Sequence, residues 1–320
     1  MRISTQTMSG IATSSTSNAY DKYAKILEKI TSNKNFTKMS ENVPEAKKLV
    51  KIKDQLAQLD EYQSNIKAAT NEMGLAYDVL NDVTDQVTQI NSLVVEAANA
   101  TTTPDSAKAM ATEIKERVAS IVDLMNTKYM NNYIFSGSNV QTPAYTLDEE
   151  TGDVTYNGGT KDNGERLLTI AENTTFEYNV TGDKIFDKVT LYSTTTDANG
   201  NEVVTSRETD FFTEMQDLCN LLNADELDQN AIREKLNVLD PVSKNITNQT
   251  GDVSAKVSKL NSASSINAST ITNLTEKRVD IEEVDITQAA TDLANARSAL
   301  QASYTLTSVI LQGNTLLDYL

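Results

Sequence analysis

The 320-residue sequence has no histidine and no tryptophan, a single cysteine, four prolines and eleven glycines. Without histidine there is no imidazole to serve as a general base near neutral pH or as a metal ligand. One cysteine, Cys219, cannot close an internal disulfide. It lies in the amphipathic stretch 211–222, where a small core side chain is expected rather than a nucleophile. No apolar run of about 18 residues occurs, so no membrane span is expected. No apolar h-region follows the first residues either, and a classical signal peptide is not expected. Basic charge is also scarce, with 28 Lys/Arg against 45 Asp/Glu and a net charge of −17. A general nucleic-acid binder needs a basic face, which this balance argues against. The deficit is uneven. Residues 1–60 carry ten basic against six acidic side chains, and residues 279–320 one against six. Ends of opposite sign could attract within a chain or between neighbours; scatter on solvated helices is the plainer reading.

What the sequence does have is seven consecutive heptads. Ile52, Leu59, Ile66, Met73, Leu80, Val87 and Val94 are spaced by seven and all apolar. The positions three further on, Gln55, Tyr62, Ala69, Ala76, Val83, Ile90 and Ala97, are apolar in all but the first. A stripe repeating every 3.5 residues is what packed, supercoiled helices need. Asn42, with Pro44 in the first turn, marks the start of this helix, and Thr101–Asp105 its stop. A second helix over about 105–130 presents Met110, Ala111, Ile114, Val118, Ile121 and Met125 on one face. The short connection makes the two an antiparallel hairpin.

Composition then changes. Seven of the eleven glycines and a run of aromatic residues fall between 137 and 200. Residues 146–156 read as strand, turn, strand around Asp148–Asp153, and 191–204 read the same way around Asp197–Asn201. Helices resume near Phe211, and Pro241 is expected to separate a short helix from a long one over 242–279. That helix carries a looser stripe: Ile246, Thr250, Val253, Val257, Leu260, Ser264, Ile271, Leu274 and Ile281. The last segment opens at Asp285, with Gln288 as a possible capping partner. Its heptad positions are Ile286, Leu293, Leu300, Thr307 and Asn314, alternating with Ala289, Ala296, Ser303, Ile310 and Leu317. Small residues at every second seam position let helices approach closely. The N-terminal segment 3–30 is weakly amphipathic and rich in Ser and Thr, so both ends need a partner to order. An oligomerisation seam and an ordinary intramolecular pair fit equally.

The expected fold is mainly α: a long antiparallel helical bundle or coiled coil with a small antiparallel β domain inserted. The divisions are 1–42, an N-terminal assembly helix and turn; 43–136, a helical hairpin; 137–210, the β insertion; 211–284, returning helices; and 285–320, a C-terminal assembly helix. Enzyme chemistry finds no constellation to rest on. Asp148-Glu149-Glu150 sits on an exposed turn with nothing to perturb a carboxyl pKa. Asp197–Glu202 lacks calcium-loop spacing, and Asn157-Gly158-Gly159 lacks the Lys-Ser/Thr of a phosphate loop. No metal, cofactor or catalytic residue is expected. The run Lys47–Lys53 reads as a solvated helix face, with an acidic partner or membrane as the alternative.

Several segments carry a resemblance. They are Met1-Arg2-Ile3-Ser4-Thr5, Ile30-Thr31-Ser32-Asn33-Lys34, Ser40-Glu41-Asn42-Val43-Pro44, Tyr133-Ile134-Phe135-Ser136-Gly137, Gly182-Asp183-Lys184-Ile185-Phe186, Val284-Asp285-Ile286-Thr287, Ala299-Leu300-Gln301-Ala302-Ser303-Tyr304 and Leu316-Leu317-Asp318-Tyr319-Leu320. In order and coverage the set resembles the bacterial flagellar hook–filament junction proteins, the type 3 hook-associated proteins of the flagellin-like group. Asn33 stands where that family has Gly, and Val43 is an extra residue before Pro44.

The resemblance implies a structural protein, not an enzyme. It implies export through the hollow flagellum by a type III route with no cleaved signal peptide, after attendance by an export chaperone. It further implies an extracellular ring of copies joining the type 1 hook-associated protein to flagellin, with no nucleic acid and no membrane as partner. The terminal segments would pair as helices on assembly, with subunit contacts at Ile3, Ile26, Ile30, Leu293, Leu300, Ile310, Leu311 and Leu317. A flagellin-type filament subunit shares the two ends and is the nearest alternative. A coiled-coil adhesin displaying a ligand-binding β domain is the alternative from another class.

Overall fold

The computed structural model describes residues 5–311 except 100, 149–150, 160–163, 187 and 197–201. The described chain forms two compact units, one within residues 61–267 and the other made of residues 5–60 with 268–311, and the division falls inside two long helices.

In the 61–267 unit the heptad stripe becomes the buried face of α2 (Val43–Ala97). Ile66, Ala69, Met73, Ala76, Leu80, Val83, Val87, Ile90, Val94 and Ala97 are all buried and belong to one continuous core. α3 (Pro104–Met125) adds Ala107, Met110, Ala111, Ile114, Val118, Ile121, Val122 and Met125 to it. Its start is set by Thr103, whose Oγ1 accepts from the Ser106 amide at 3.3 Å, with Pro104 in the first turn. The helix expected to reach about residue 130 stops at Met125 because Asn126 is engaged elsewhere. Its side chain accepts from the Tyr145 amide at 2.9 Å and donates to the Tyr145 carbonyl at 2.8 Å. A hairpin therefore forms earlier than expected: β1 (Lys128–Tyr129) pairs with β2 (Asn132–Tyr133) around Met130 and Asn131, both at positive φ. Two central residues with φ above zero define the tight hairpin turn.

The inserted β part consists of separate two-stranded antiparallel ribbons. β3 (Tyr145–Leu147) pairs with β4 (Val154–Tyr156), β5 (Leu167–Ala171) with β6 (Thr174–Glu177), and β7 (Val189–Thr196) with β8 (Glu202–Thr209). The last turn, 197–201, lies outside the described residues. An isolated hairpin is marginal in water, so these ribbons need something apolar to lean on. For β3–β4 an aromatic cluster supplies it: Tyr145, Tyr156, Phe186, Phe211 and Phe212, with neighbouring ring centroids 4.9–6.2 Å apart. β5–β6 places Ile170 and Phe176 in the main core, and Val189 of β7 packs against it.

Two of the resemblance segments meet there. The Gly182 amide donates to the Phe135 carbonyl at 2.9 Å, and the Tyr156 hydroxyl donates to the carbonyls of Gly159 and Phe135. A Cβ on Gly182 would lie 2.7 Å from the Tyr145 ring, so a larger residue cannot sit there unless the rings move. The one-turn helix α4 (Gly182–Ile185) then buries Ile185 and leads to the buried Phe186. These segments are packing devices.

Returning helices α5 (Phe211–Leu222), α6 (Gln229–Glu234) and α7 (Leu236–Glu282) complete the unit. Asp210 and Asp228 cap the first two. Pro241 does not separate two helices; α7 runs through it. The proline forfeits one backbone bond to Asn237. Both residues are exposed, whereas Val238, Leu239 and Val242 are buried and hold the turn in place. Cys219 is half-buried, its thiol 3.6 Å from the Ala111 carbonyl, and burial pushes that thiol up to about 11. It is a packing residue.

Two buried carboxylates tie the elements together. Glu72 of α2 pairs with Arg166, whose guanidinium also lies 4.7 Å from the centre of the Tyr178 ring. Glu214 of α5 is fully buried. It accepts from Thr209 and Arg207 at the foot of β8 and from Lys235 just before α7, each at 2.6 Å. Burial alone would raise the Glu214 pKa. The hydrogen bonds from Lys235 and Thr209 and the charges of Lys235 and Arg207 outweigh it and hold the carboxyl below its ordinary value.

A lowered folded pKa means stability that is present above the unfolded-chain value of about 4.3 and is lost as pH falls through the folded value. Thermal melts between pH 7 and 3 should therefore show acid destabilisation that Glu214→Gln flattens. Lys235→Met should cost about 3 kcal/mol at pH 7 by leaving a buried charge without its main partner. Parallel acid limbs in the parent and Glu214→Gln would contradict this reading.

Candidate assembly surface

The other unit holds the first and last described helices. α1 (Thr5–Ser32) runs antiparallel to α8 (Ile286–Leu311), and their Cα atoms come within 8 Å of each other along the pair. Side chains drawn out of water recur at three-and-four spacing on both helices. On α1 the seam is Ser9, Ala12, Thr16, Ala19, Tyr23, Ile26 and Ile30; on α8 it is Ala289, Leu293, Ala296, Leu300, Ser303, Thr307 and Ile310. Only Ala12 and Ala289 are fully buried. Small seam residues permit the close approach, and hydroxyls replace methyl groups where the second half of α8 meets the first half of α1. Thr16 and Thr307 share a hydrogen bond of 2.8 Å. The pairing satisfies these groups but removes little apolar surface from water, so it is a weak clasp by the measure of about 25 cal/mol per Å².

At the foot of this pair the two turns are clipped together. Asn33 closes α1 at φ +52, the left-handed conformation for which Gly is the usual choice and Asn the next. Lys34 and Glu283 form an isolated antiparallel bridge. The Asn35 amide donates to the Glu282 carbonyl at 2.8 Å, and its side chain donates to Glu283 at 2.7 Å and Ile281 at 3.3 Å. Lys53 adds an ion pair to Glu282 at 2.8 Å. The hydrogen bond and charge from Lys53 outweigh burial and lower the Glu282 pKa. Asn42 accepts from the Glu45 amide at the start of α2. Asp285 caps α8, accepting from the amides of Thr287 and Gln288; the Gln288 side chain turns to Asp292 and closes no reciprocal box.

Of the expected contact residues, Ile26, Ile30, Leu293, Leu300 and Ile310 are half-buried on the α1–α8 seam of a single chain. Leu311 ends α8, and Ile3 and Leu317 lie outside the described residues. Ile286, read as a seam position, is instead 50% exposed because it opens the first turn, where Asp285 sets the direction of the chain.

A second stripe runs beside this seam. Ala299, Ala302, Leu306 and Val309 follow the same three-and-four spacing about a third of a turn round α8 from the seam, and all are exposed. The preceding positions on that line, Asp292 and Asn295, are polar, so the apolar face is confined to the second half of the helix. Leu306 and Val309 are 61% and 63% exposed. Met8 and Ile11 are likewise exposed on α1. The high alanine content of this stretch lets more than one line along the helix read as a seam, and only the pairing with α1 shows which line is left exposed. Among the described residues no group of His, Cys, Asp or Glu is placed to hold a metal, and no helix is long and apolar enough to cross a membrane.

The arrangement is that of a known group. Residues 3–140 match the bacterial flagellin N-terminal helical region, and residues 236–320 match the bacterial flagellin C-terminal helical region. Between them these spans take in most of the chain. The chain belongs to the flagellin family. Within that family it is similar to flagellar hook-associated protein 3 of Escherichia coli, with 26% identity over 318 residues, 95% of each chain. Two solved structures share the fold. A flagellar hook-associated protein from Vibrio parahaemolyticus has 19% identity and a TM-score of 0.63, covering 76% of this chain and 100% of its own. Flagellar hook associated protein-3 from Legionella pneumophila has 16% identity and a TM-score of 0.59, covering 71% of this chain and 96% of its own. The protein is thus a flagellin-family structural component of the flagellum, of the hook-associated type 3 kind.

Asn35→Ala removes the side-chain half of the clip while leaving both helices intact. It should open the 33–42 turn to limited proteolysis several-fold faster and cost about 1–2 kcal/mol locally. Unchanged cleavage would show that the clip contributes nothing.

Proposed function

We propose that this flagellin-family protein forms an adaptor ring at the hook–filament junction, bound on one side to the type 1 hook-associated protein and on the other to the first flagellin subunits. It reaches that place through the hollow flagellum by type III export, held beforehand by an export chaperone, and filament growth and motility depend on it. The observation that carries the reading is the second apolar stripe of α8. A helix already paired with α1 keeps Leu306 and Val309 in water, which is costly unless another subunit covers them. Similarity to hook-associated protein 3 over 95% of the chain supports the junction over the filament. A filament subunit remains the second reading because the matched end regions are those of flagellin itself.

Leu306→Lys combined with Val309→Lys alters only exposed side chains, so monomer stability should change by no more than about 0.5 kcal/mol. In a strain lacking its own copy of the gene, this variant should leave hooks without filaments while flagellin leaks into the medium. Normal filament numbers would refute the assigned role of the stripe. Loss of filaments with no other filament subunit in the medium would favour the filament reading.

A further inference from the structure

A separate apolar groove lies at the start of α2, away from the α1–α8 seam. Met39, Val43, Ala46 and Val50 line it, with Lys47 along one side, and it is a shallow, open depression of about 390 Å³. Ala46 is buried, but Met39, Val43 and Val50 are 67%, 48% and 41% exposed, spaced as one continuous face. The inward face of the same helix is taken by Ala46, Leu49 and Ile52. Lys47 lines the groove and Lys51 follows it one turn further along α2, both exposed, so the apolar floor is bordered by basic side chains on that side. The same unit carries the complement. At the turn between α7 and α8, Ile286 is half in water, flanked by exposed Glu283 and Asp285, with Asp280 and Asp292 beyond. Both surfaces are exposed in one chain, so they do not satisfy each other there.

We infer that the Met39–Val43–Val50 groove of one copy receives the Ile286 corner of a second copy, with Glu283 and Asp285 of that copy against Lys47 and Lys51. The inference rests on the assembly reading above and names one contact within it. The uneven charge of the two ends of the sequence is its electrostatic part, which selects partner and register; Ile286 entering the groove is its apolar part. Because the two surfaces differ, the contact is head-to-tail, and successive copies close into a ring or continue as a helix. A contact of a patch with itself would give only pairs.

The test uses the full chain carrying Cys219→Ala, Val43→Cys and Ile286→Cys, expressed in a strain lacking its own copy and oxidised on intact flagella. A ladder of cross-linked multimers is expected, and neither single cysteine should give one. Adding Lys47→Glu with Lys51→Glu should lower the ladder at least tenfold, and adding Glu283→Lys to these should recover most of it. Asp285 is left in place because it caps α8. In parallel, without introduced cysteines, Lys47→Glu should cut filament number, and Lys47→Glu with Glu283→Lys should restore it. Filaments without a ladder, a cross-link to a protein of another size, or failure of the charge exchange to restore filaments would each overturn the inference while leaving the adaptor role standing. If full complementation yields filaments built of this chain along their length, the adaptor reading fails instead, whatever the ladder shows.

Discussion

Burial of one stripe of α2 is the constraint on which residues 61–267 depend. Ile66, Met73, Leu80, Val83, Val87, Ile90 and Val94 are each at most 1% exposed. At about 1.5–3 kcal/mol for each large side chain fully removed from water, they supply the driving force that the β ribbons lack. Each ribbon has two strands and could not stand alone. β3–β4 leans on this core through the aromatic cluster and β5–β6 through Ile170 and Phe176, and the insertion is pinned by Arg166 to Glu72 and by Arg207 and Thr209 to Glu214. The charges add direction: a buried carboxylate with three donors permits one placement of β8, α5 and Lys235.

The unit formed by the two ends is built on a different balance. Its seam has the same spacing but a different content, with alanine, serine and threonine at most places where α2 has leucine, isoleucine and valine. Close approach and hydroxyl bonds substitute for bulk. Such a pair is ordered but weakly held, and it leaves apolar side chains on the outer faces of α1, α8 and the start of α2. In a flagellin-family protein this is coherent. If the protein assembles as proposed, such outer faces would be completed only when neighbours cover them.

How much of this could be read beforehand follows from how local each signal is. The start of α2 at Asn42, the cap at Asp285, the stripes of α2, α3 and α7 and two of the hairpins were legible because each rests on a few neighbouring residues. Four features were not. Asn126 ends α3 through Tyr145, nineteen residues on, a contact invisible to periodicity. Pro241 stays helical because Val238, Leu239 and Val242 are buried around it. The turn at Met130-Asn131 lacks the glycine that usually announces it. The outer stripe of α8 is masked because alanine suits a close-packed seam and an exposed face equally well. For the assembly surface, the α1–α8 seam was legible as a pattern, but pattern alone left open whether it joins one chain or two; the exposed faces beside it became visible only once the seam was occupied.

The central claim is that the strong stripe holds the monomer together and the weak ends await neighbours. Hydrogen exchange on free protein and on protein in intact flagella tests it directly. In the free protein, amides of α1 and α8 should exchange orders of magnitude faster than those of α2 between residues 66 and 97, and assembly should slow the former while leaving the latter unchanged. Equal protection of α1, α8 and α2 in the free protein would contradict the account.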